Sequence, residues 1–328
     1  MRGGGRGPPR NHPGRVLLEE AWRASQPLQD GGTFGRELDG PPLACGLRAK
    51  TRARLGDGVV LVKSNGVPDY DVPATWKGYS RSGRWDGNPN SIGEQDYLFA
   101  FPLVPGPPGP PVPTPLGPVG VAQNGVPFYD PRAAEGADAV QIEAFDACCG
   151  HPDGSSRYHY HQFPKCCAGA SSLGQLAATQ PGSVAAALRQ QLRDERPSPP
   201  LGAAFDGHPI HGPVGVGRGG PVRLLRPSFR GTTYVEGSGD LDECNGALGP
   251  DGVYRYHATV YLDGDDVVPV YPYILPAYRS RPDPRNFPPH ALRQMGITYD
   301  GTKENLHRRF RNLPVATPVP DDLPPPYE

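Results

Sequence analysis

Asp146-Ala147-Cys148-Cys149-Gly150 followed by Tyr158-His159-Tyr160-His161 is the stretch on which the fold turns, because it occurs twice. The second copy reads Asp242-Glu243-Cys244-Asn245-Gly246, then Tyr254-Arg255-Tyr256-His257. Six identities, 146/242, 148/244, 150/246, 158/254, 160/256 and 161/257, share one offset of 96 residues. Self-similarity at a fixed offset marks a repeated supersecondary unit. A second motif precedes each copy. Asn124-Gly125-Val126-Pro127-Phe128-Tyr129 matches Asp206-Gly207-His208-Pro209-Ile210-His211, with Asn65-Gly66-Val67-Pro68-Asp69-Tyr70 as an earlier relative. Asn-Gly and Asp-Gly favour positive φ in a tight turn, and the proline two residues on favours an extended exit. The ordered alternation of both motifs predicts an internally duplicated, hairpin-rich single domain with halves at 124–165 and 206–261.

Outward from the repeat, short apolar and aromatic runs punctuated by Asn-Gly, Asp-Gly and Pro extend from Val59-Val60-Leu61-Val62 to Tyr278. That pattern predicts a mainly β, β-rich α+β fold. One inserted helix is expected over Ser183–Glu195, with Ser183 as N-cap and Pro197 as stop. Pro105–Gly120 holds eight Pro and four Gly and reads as a surface polyproline-type loop. Residues 1–57 read as a disordered low-complexity tail with a short helix at Leu17–Arg23, and 58–279 as the domain. Residues 280–328 read as an Arg/Pro-rich extension with a short helix at Lys303–Arg311 and a disordered end from 312. The 328 residues include 44 Gly and 44 Pro, yet 15 Tyr, 10 Phe and 3 Trp suffice for a core. A net charge of -1 lacks the basic excess of a nucleic-acid-binding protein. There is no apolar run of 18 residues and hence no transmembrane helix. Met1–Gln26, with only Val16-Leu17-Leu18 apolar, does not read as a signal peptide.

In an extended Tyr158-His159-Tyr160-His161 the tyrosines face one way and the imidazoles the other. Two histidines at i and i+2 have Cβ atoms about 7 Å apart, and their nitrogens can converge on copper or zinc at roughly 2.0–2.1 Å. His151 is the expected third ligand and His257, from the other half, the fourth. His161 carries more weight than His159, because only His161 has a counterpart in the second copy. The competing reading is a hydrogen-bonded Tyr/His core in a non-catalytic structural or ligand-binding module, with carbohydrate or protein as partner. Asp242 or Glu243 serves as a base only if the fold brings it to the ion. Cys148 and Cys166 flank the Tyr-His segment and suggest a disulfide clamp. A disulfide implies an oxidising compartment, in tension with the N-terminus. No Cys-x-x-Cys ribbon and no Asn-x-Ser/Thr sequon occurs.

Asp263-Gly264-Asp265-Asp266 reads as a hairpin tip rather than a calcium loop. Pro324-Pro325-Pro326-Tyr327 fits a WW-domain ligand, although a chain this rich in Pro produces such matches by chance. Without a Gly-rich phosphate loop, a Gly-x-Ser-x-Gly elbow or a His-Glu-x-x-His helix, no nucleotide cofactor and no serine hydrolase chemistry is expected.

With these residues in view, the chain resembles the YHYH family over roughly Val59 to Arg279. Besides the name motif the resemblance rests on Asn88-Pro-Asn90, Asn124-Gly-Val-Pro127, Glu143-Ala-Phe145-Asp146, Gly150-His151, Pro164-Lys-Cys166, Phe205-Asp-Gly207, Leu241-Asp-Glu-Cys244 and Tyr271-Pro-Tyr273. It implies one fold over that span and an extracytoplasmic or secreted location, and it names no chemistry. Three departures matter. The cysteine that the pattern places at 277 is Ala277, which would leave Cys244 without its family partner. His208 and His211 replace aromatic residues, and with Asp146 and Asp242 they are additional candidate ligands. Arg255 stands where the family has His, which argues against two equivalent metal sites.

Overall fold

The computed structural model describes residues 38–39, 47, 49–56, 58–72, 88–167, 182–299 and 306–312. Strands β1 (Leu38–Asp39), β2 (Lys50–Gly56), β3 (Val59–Ser64) and β4 (Tyr97–Pro102) form an antiparallel sheet in that order. The doubly apolar run in β3 is explained by burial on both faces. Val60 and Val62 join the main core, while Val59 and Leu61 pack with Ala100 beneath Phe310.

β5 (Val112–Pro113) pairs with the late segment Ala277–Tyr278. The chain then builds an eight-stranded sheet. Its first unit is β6 (Pro118–Ala122), β7 (Pro127–Tyr129), the short helix α1 (Ala139–Ile142), β8 (Gly150–Pro152) and β9 (Tyr158–Tyr160). Helix α2 (Ser183–Arg193) follows, burying Val184, Ala185, Leu188 and Gln191 along one stripe. The second unit opens with β10 (Pro200–Ala204) and β11 (Pro209–His211). Two hairpins intervene, β12 (Val214–Val216) with β13 (Val222–Leu224) and β14 (Phe229–Arg230) with β15 (Thr233–Tyr234). β16 (Gly246–Leu248) and β17 (Tyr254–His257) complete the unit. Beyond it lie the hairpin β18 (Val260–Asp263) and β19 (Asp266–Pro269), β20 (Ala277–Tyr278), and helices α3 (Pro289–Gln294) and α4 (Leu306–Asn312). Asp263 pairs with Asp266 in that hairpin, so Gly264-Asp265 is its tip, as expected.

The strand order of the large sheet is β16-β17-β11-β10-β6-β7-β9-β8. Read outward from the β6–β10 pair, the two units repeat each other. β7 runs parallel to β9, and β11 runs parallel to β17. At the centre Val121 pairs with Ala203, flanked by Gly120 with Ala204 and Gly202 with Ala122. The local hydrogen bonds repeat too. Gln123 N donates to Leu201 O, and Phe205 N to Val119 O. Asp146 Oδ1 accepts from Cys148 N and Gly150 N, and Asp242 Oδ1 from Cys244 N and Gly246 N. Gly120 and Gly202 are glycines of close approach: a Cβ on Gly202 would lie 2.0 Å from Val121 O, and one on Gly120 would lie 2.5 Å from Ala203 O.

Several boundaries differ from expectation. Residues 58–279 are too narrow a domain, because β2 pairs along β3 from Thr51 to Gly56 and the main core includes Ala53, Leu292 and Met295. Pro105–Gly120 is not all surface loop: its end enters β6, where Val119 is fully buried in mid-sheet. The helix N-cap is Gly182, at φ 81°, rather than Ser183, whose hydroxyl has no hydrogen-bond partner among the described residues. The C-terminal helix is found at Leu306–Asn312. Leu17–Arg23 and the Pro324–Tyr327 motif lie outside the described residues. No helix among the described residues is long and apolar enough to cross a membrane.

Candidate metal centre

β8 and β9 pair antiparallel with His151 opposite His159, which sets the two imidazoles side by side on one face. His161 follows β9 on the same face by strand alternation. All three are buried, and one nitrogen from each falls within a group spanning at most 4.8 Å. That spacing is somewhat looser than the roughly 4 Å expected of a preformed site. His159 Nε2 and His161 Nε2 are 3.0 Å apart. The ring of His151 lies 4.4 Å from that of His159 and 5.3 Å from that of His161, centroid to centroid.

Backbone carbonyls orient two of the rings. His159 Nδ1 lies 2.9 Å from Arg157 O, and His161 Nδ1 lies 2.5 Å from Asp130 O. A carbonyl can only accept, so each Nδ1 carries the hydrogen and each Nε2 presents a lone pair. Two lone pairs therefore meet at 3.0 Å with no proton of their own to share. Protonating one ring would relieve this, but burial opposes it. His161 is pushed down to about 4, chiefly by burial, and His159 is held well below the ordinary histidine range by burial and by His151 and His161. His151 is lowered in the same way, by burial first and then by His161. Its Nε2 is buried with no hydrogen-bond partner among the described residues, while Nδ1 faces Asn88 Nδ2 at 3.4 Å and Glu143 Oε2 at 3.8 Å. Tyr129 stacks on His159 with centroids 3.8 Å apart, and Phe145 packs on His151 at 4.6 Å. These aromatic walls and carbonyl anchors fix ring orientation as second-shell groups do around a bound metal.

The other face of β9 belongs to the tyrosines, as the alternation predicts. Tyr158 OH donates to Asp146 Oδ2 (2.5 Å), and Asn124 Nδ2 donates to Tyr160 OH (3.1 Å). Tyr70 OH bonds both hydroxyls. Asp146 thus serves the turn and the tyrosine network rather than the histidine group, and burial raises it to about 6. The Cys148–Cys166 disulfide is formed, with Cα atoms 5.0 Å apart, and it clamps the ends of the β8–β9 segment.

The structure does not bring His257 to the histidine group. His257 ends β17, five strand spacings from β9 in the sheet order, on the order of 20 Å away at about 4.8 Å per spacing. Its Nδ1 lies 3.0 Å from Gly212 O, a backbone-carbonyl contact of the kind His161 makes with Asp130 O. His211 sits opposite it in register on β11, with Nδ1 2.9 Å from Ser198 O. His208 bonds Ser280 Oγ at 2.9 Å. Asp242 accepts from Tyr254 OH, and Glu243 lies 3.6 Å from Arg279. All five belong to the second unit, so neither Asp242 nor Glu243 can act as a base at the histidine group. In that unit Ala247 occupies the place of His151, and Arg255 that of His159. Cys244 is a buried thiol, raised far above its ordinary value by burial.

Motif reading passed over the supporting groups Tyr129, Asp130 and Glu143. Glu143 lay within the family pattern, and Tyr129 within the turn motif, but neither had a role assigned. Asp130 contributes through its carbonyl, which carries no side-chain signature. In comparisons with known proteins, the family model described as YHYH protein matches residues 99–230. No curated protein and no solved structure matches the chain.

Proposed function

With residues 99–230 matching the family model described as YHYH protein, we propose that the chain binds one transition-metal ion, copper or zinc, through Nε2 of His151, His159 and His161. The observation that carries the reading is the opposed pair of carbonyl-anchored imidazoles, whose Nε2 lone pairs meet at 3.0 Å, grouped with His151, whose Nε2 is buried and has no partner among the described residues. A cation satisfies all three at once, whereas a proton satisfies two at most. Nitrogens 3.0 Å apart and each about 2.0–2.1 Å from one ion subtend roughly 90–100° there. Tetragonal copper accommodates that angle directly, and tetrahedral zinc does so after a few tenths of an ångström of opening. Three protein ligands leave a coordination position for water or an exogenous group, the arrangement of reactive rather than closed sites. Glu143 is placed to orient His151 through Nδ1.

The same reading treats the two four-strand units as copies of one duplicated unit, of which only the first retains the full histidine set. The repeated hydrogen bonds and strand order support it. The second reading, a metal-free Tyr/His core in a binding module, draws support from the second unit itself. There, Tyr254 OH donates to Asp242 and buried Tyr256 OH donates to Asp206, with no histidine triad among the described residues.

Elemental analysis of the purified full chain, after metal removal and reconstitution with copper and with zinc, separates the two. About one ion per chain is the expected result. Less than about 0.1 would leave the polar-core reading alone standing.

A further inference from the structure

We infer that a second, separate site exists: a basic cleft between the outer face of the β2–β3 hairpin and helix α4, which binds a small phosphate-bearing anion. The cleft measures about 360 Å³ and is lined by Lys50, Arg52, Arg54, Lys63 and Arg311, with Asp96 as the one carboxylate among the described lining residues. That volume lies within the range of small-molecule sites.

Strand geometry explains how the charges are gathered. Lys50, Arg52 and Arg54 alternate along β2, so they share one face while Thr51 and Ala53 turn inward to burial. Arg52 stands directly opposite Lys63 in the β2–β3 register. Like charges opposed across strands destabilise a sheet pair. Lys63 is met by Asp96 at 3.1 Å and Lys50 by Glu94 at 3.8 Å, and among the described residues that line the cleft cations outnumber carboxylates. This local excess stands out in a chain of net charge -1. Arg54 holds the wall in place: its Nη1 donates to Phe310 O (2.7 Å) and Arg311 O (3.2 Å), and its guanidinium lies over the Phe310 ring. Two of the last carbonyls of α4, Phe310 O and Arg311 O, are thereby occupied by a cation. Guanidinium forks match tetrahedral oxyanions, and a compact cleft lined by several of them favours a small multiply charged ligand.

The test is titration of the full chain with inorganic pyrophosphate, phosphate and sulfate by calorimetry, with acetate as control. The chain is compared with Arg52→Gln, Lys63→Gln and the double variant. These are solvent-facing positions, and thermal melts confirm folding of each; Lys50→Gln is the substitute for any variant that fails. Pyrophosphate binding that weakens tenfold or more in the double variant, and that also weakens from 0.05 to 0.5 M salt, supports the site. Equal binding of sulfate and phosphate assigns recognition to the tetrahedral oxyanion in general. No binding up to 10 mM pyrophosphate, or affinity unchanged by the substitutions, overturns it. Metal content at the histidine group is unaffected in every arm, so the two proposals stand or fall separately.

Discussion

Replacing His161 by Asn separates the proposed metal binding from the fold. The imidazole does two things: Nδ1 donates to Asp130 O, and Nε2 faces His159 Nε2 at 3.0 Å. An Asn amide can keep the first contact and has no atom for the second. Ala removes both, and leaving the buried Asp130 carbonyl unpaired costs about 1–3 kcal/mol. Structural zinc bound by four ligands is worth about 10–16 kcal/mol, or roughly 3 kcal/mol per ligand. Losing one of three nitrogens should therefore weaken binding about 100-fold, since every 1.4 kcal/mol is tenfold. The assay is competition with a metal buffer of known free copper or zinc, alongside urea unfolding of the metal-free protein. His161→Asn and His161→Ala should lose affinity equally, while only the Ala variant loses 1 kcal/mol or more of apo stability. His257→Asn, at the equivalent position of the second unit, should retain full metal affinity. Wild-type affinity in His161→Asn, or loss of metal only where stability is also lost, would refute the reasoning.

Three further outcomes are expected. Gly202→Ala drives a Cβ to 2.0 Å from Val121 O and should destabilise the protein by about 1–3 kcal/mol or more, read by urea unfolding; a neutral variant would contradict the close approach at the sheet centre. Replacing Cys148 and Cys166, separated by 18 residues, with Ala should cost about 3 kcal/mol by loop entropy; a change under 1 kcal/mol would show that the clamp adds little. His257 is lowered to about 4, chiefly by burial, from an unfolded value of 6.5, so the unfolded chain takes up the proton first. Its destabilisation should begin below pH 6.5 and grow to about 3 kcal/mol as pH approaches 4; in His257→Asn that part of the slope should vanish, and a slope unchanged by the substitution would exclude His257 as its source.

The repeat and the Tyr/His alternation were readable because both depend on strand period and turn chemistry, which are local. The disulfide and the Asp263–Asp266 hairpin were readable for the same reason. β2 was missed because its outward face, Lys50, Arg52 and Arg54, shares the composition of the Arg-rich segment before it. The inward Thr51 and Ala53 are too small to signal a strand. Proline content likewise hid β6, whose Pro118 sits at the strand start, where no mid-strand donor is needed. The error over His257 has a different origin. The expectation for His257 supposed that a loop or strand from the other half reaches the same face. A pseudo-twofold arrangement instead sends equivalent residues to opposite ends of the sheet. The nearness of His151 to His159 was readable because β8 and β9 form a local hairpin.

At the sheet centre, Val121 and Ala203 are each other's counterparts in the two units, and they are also hydrogen-bonding neighbours. The seam is thus self-complementary. A chain cut between β9 and β10 would bare a strand edge that its own duplicate can occupy, Val121 beside Val121, in an isologous C2 contact. Such a fragment should recover from the lysate as a homodimer or an aggregate, never as a monodisperse monomer. The tandem chain removes that concentration dependence by tethering the two edges.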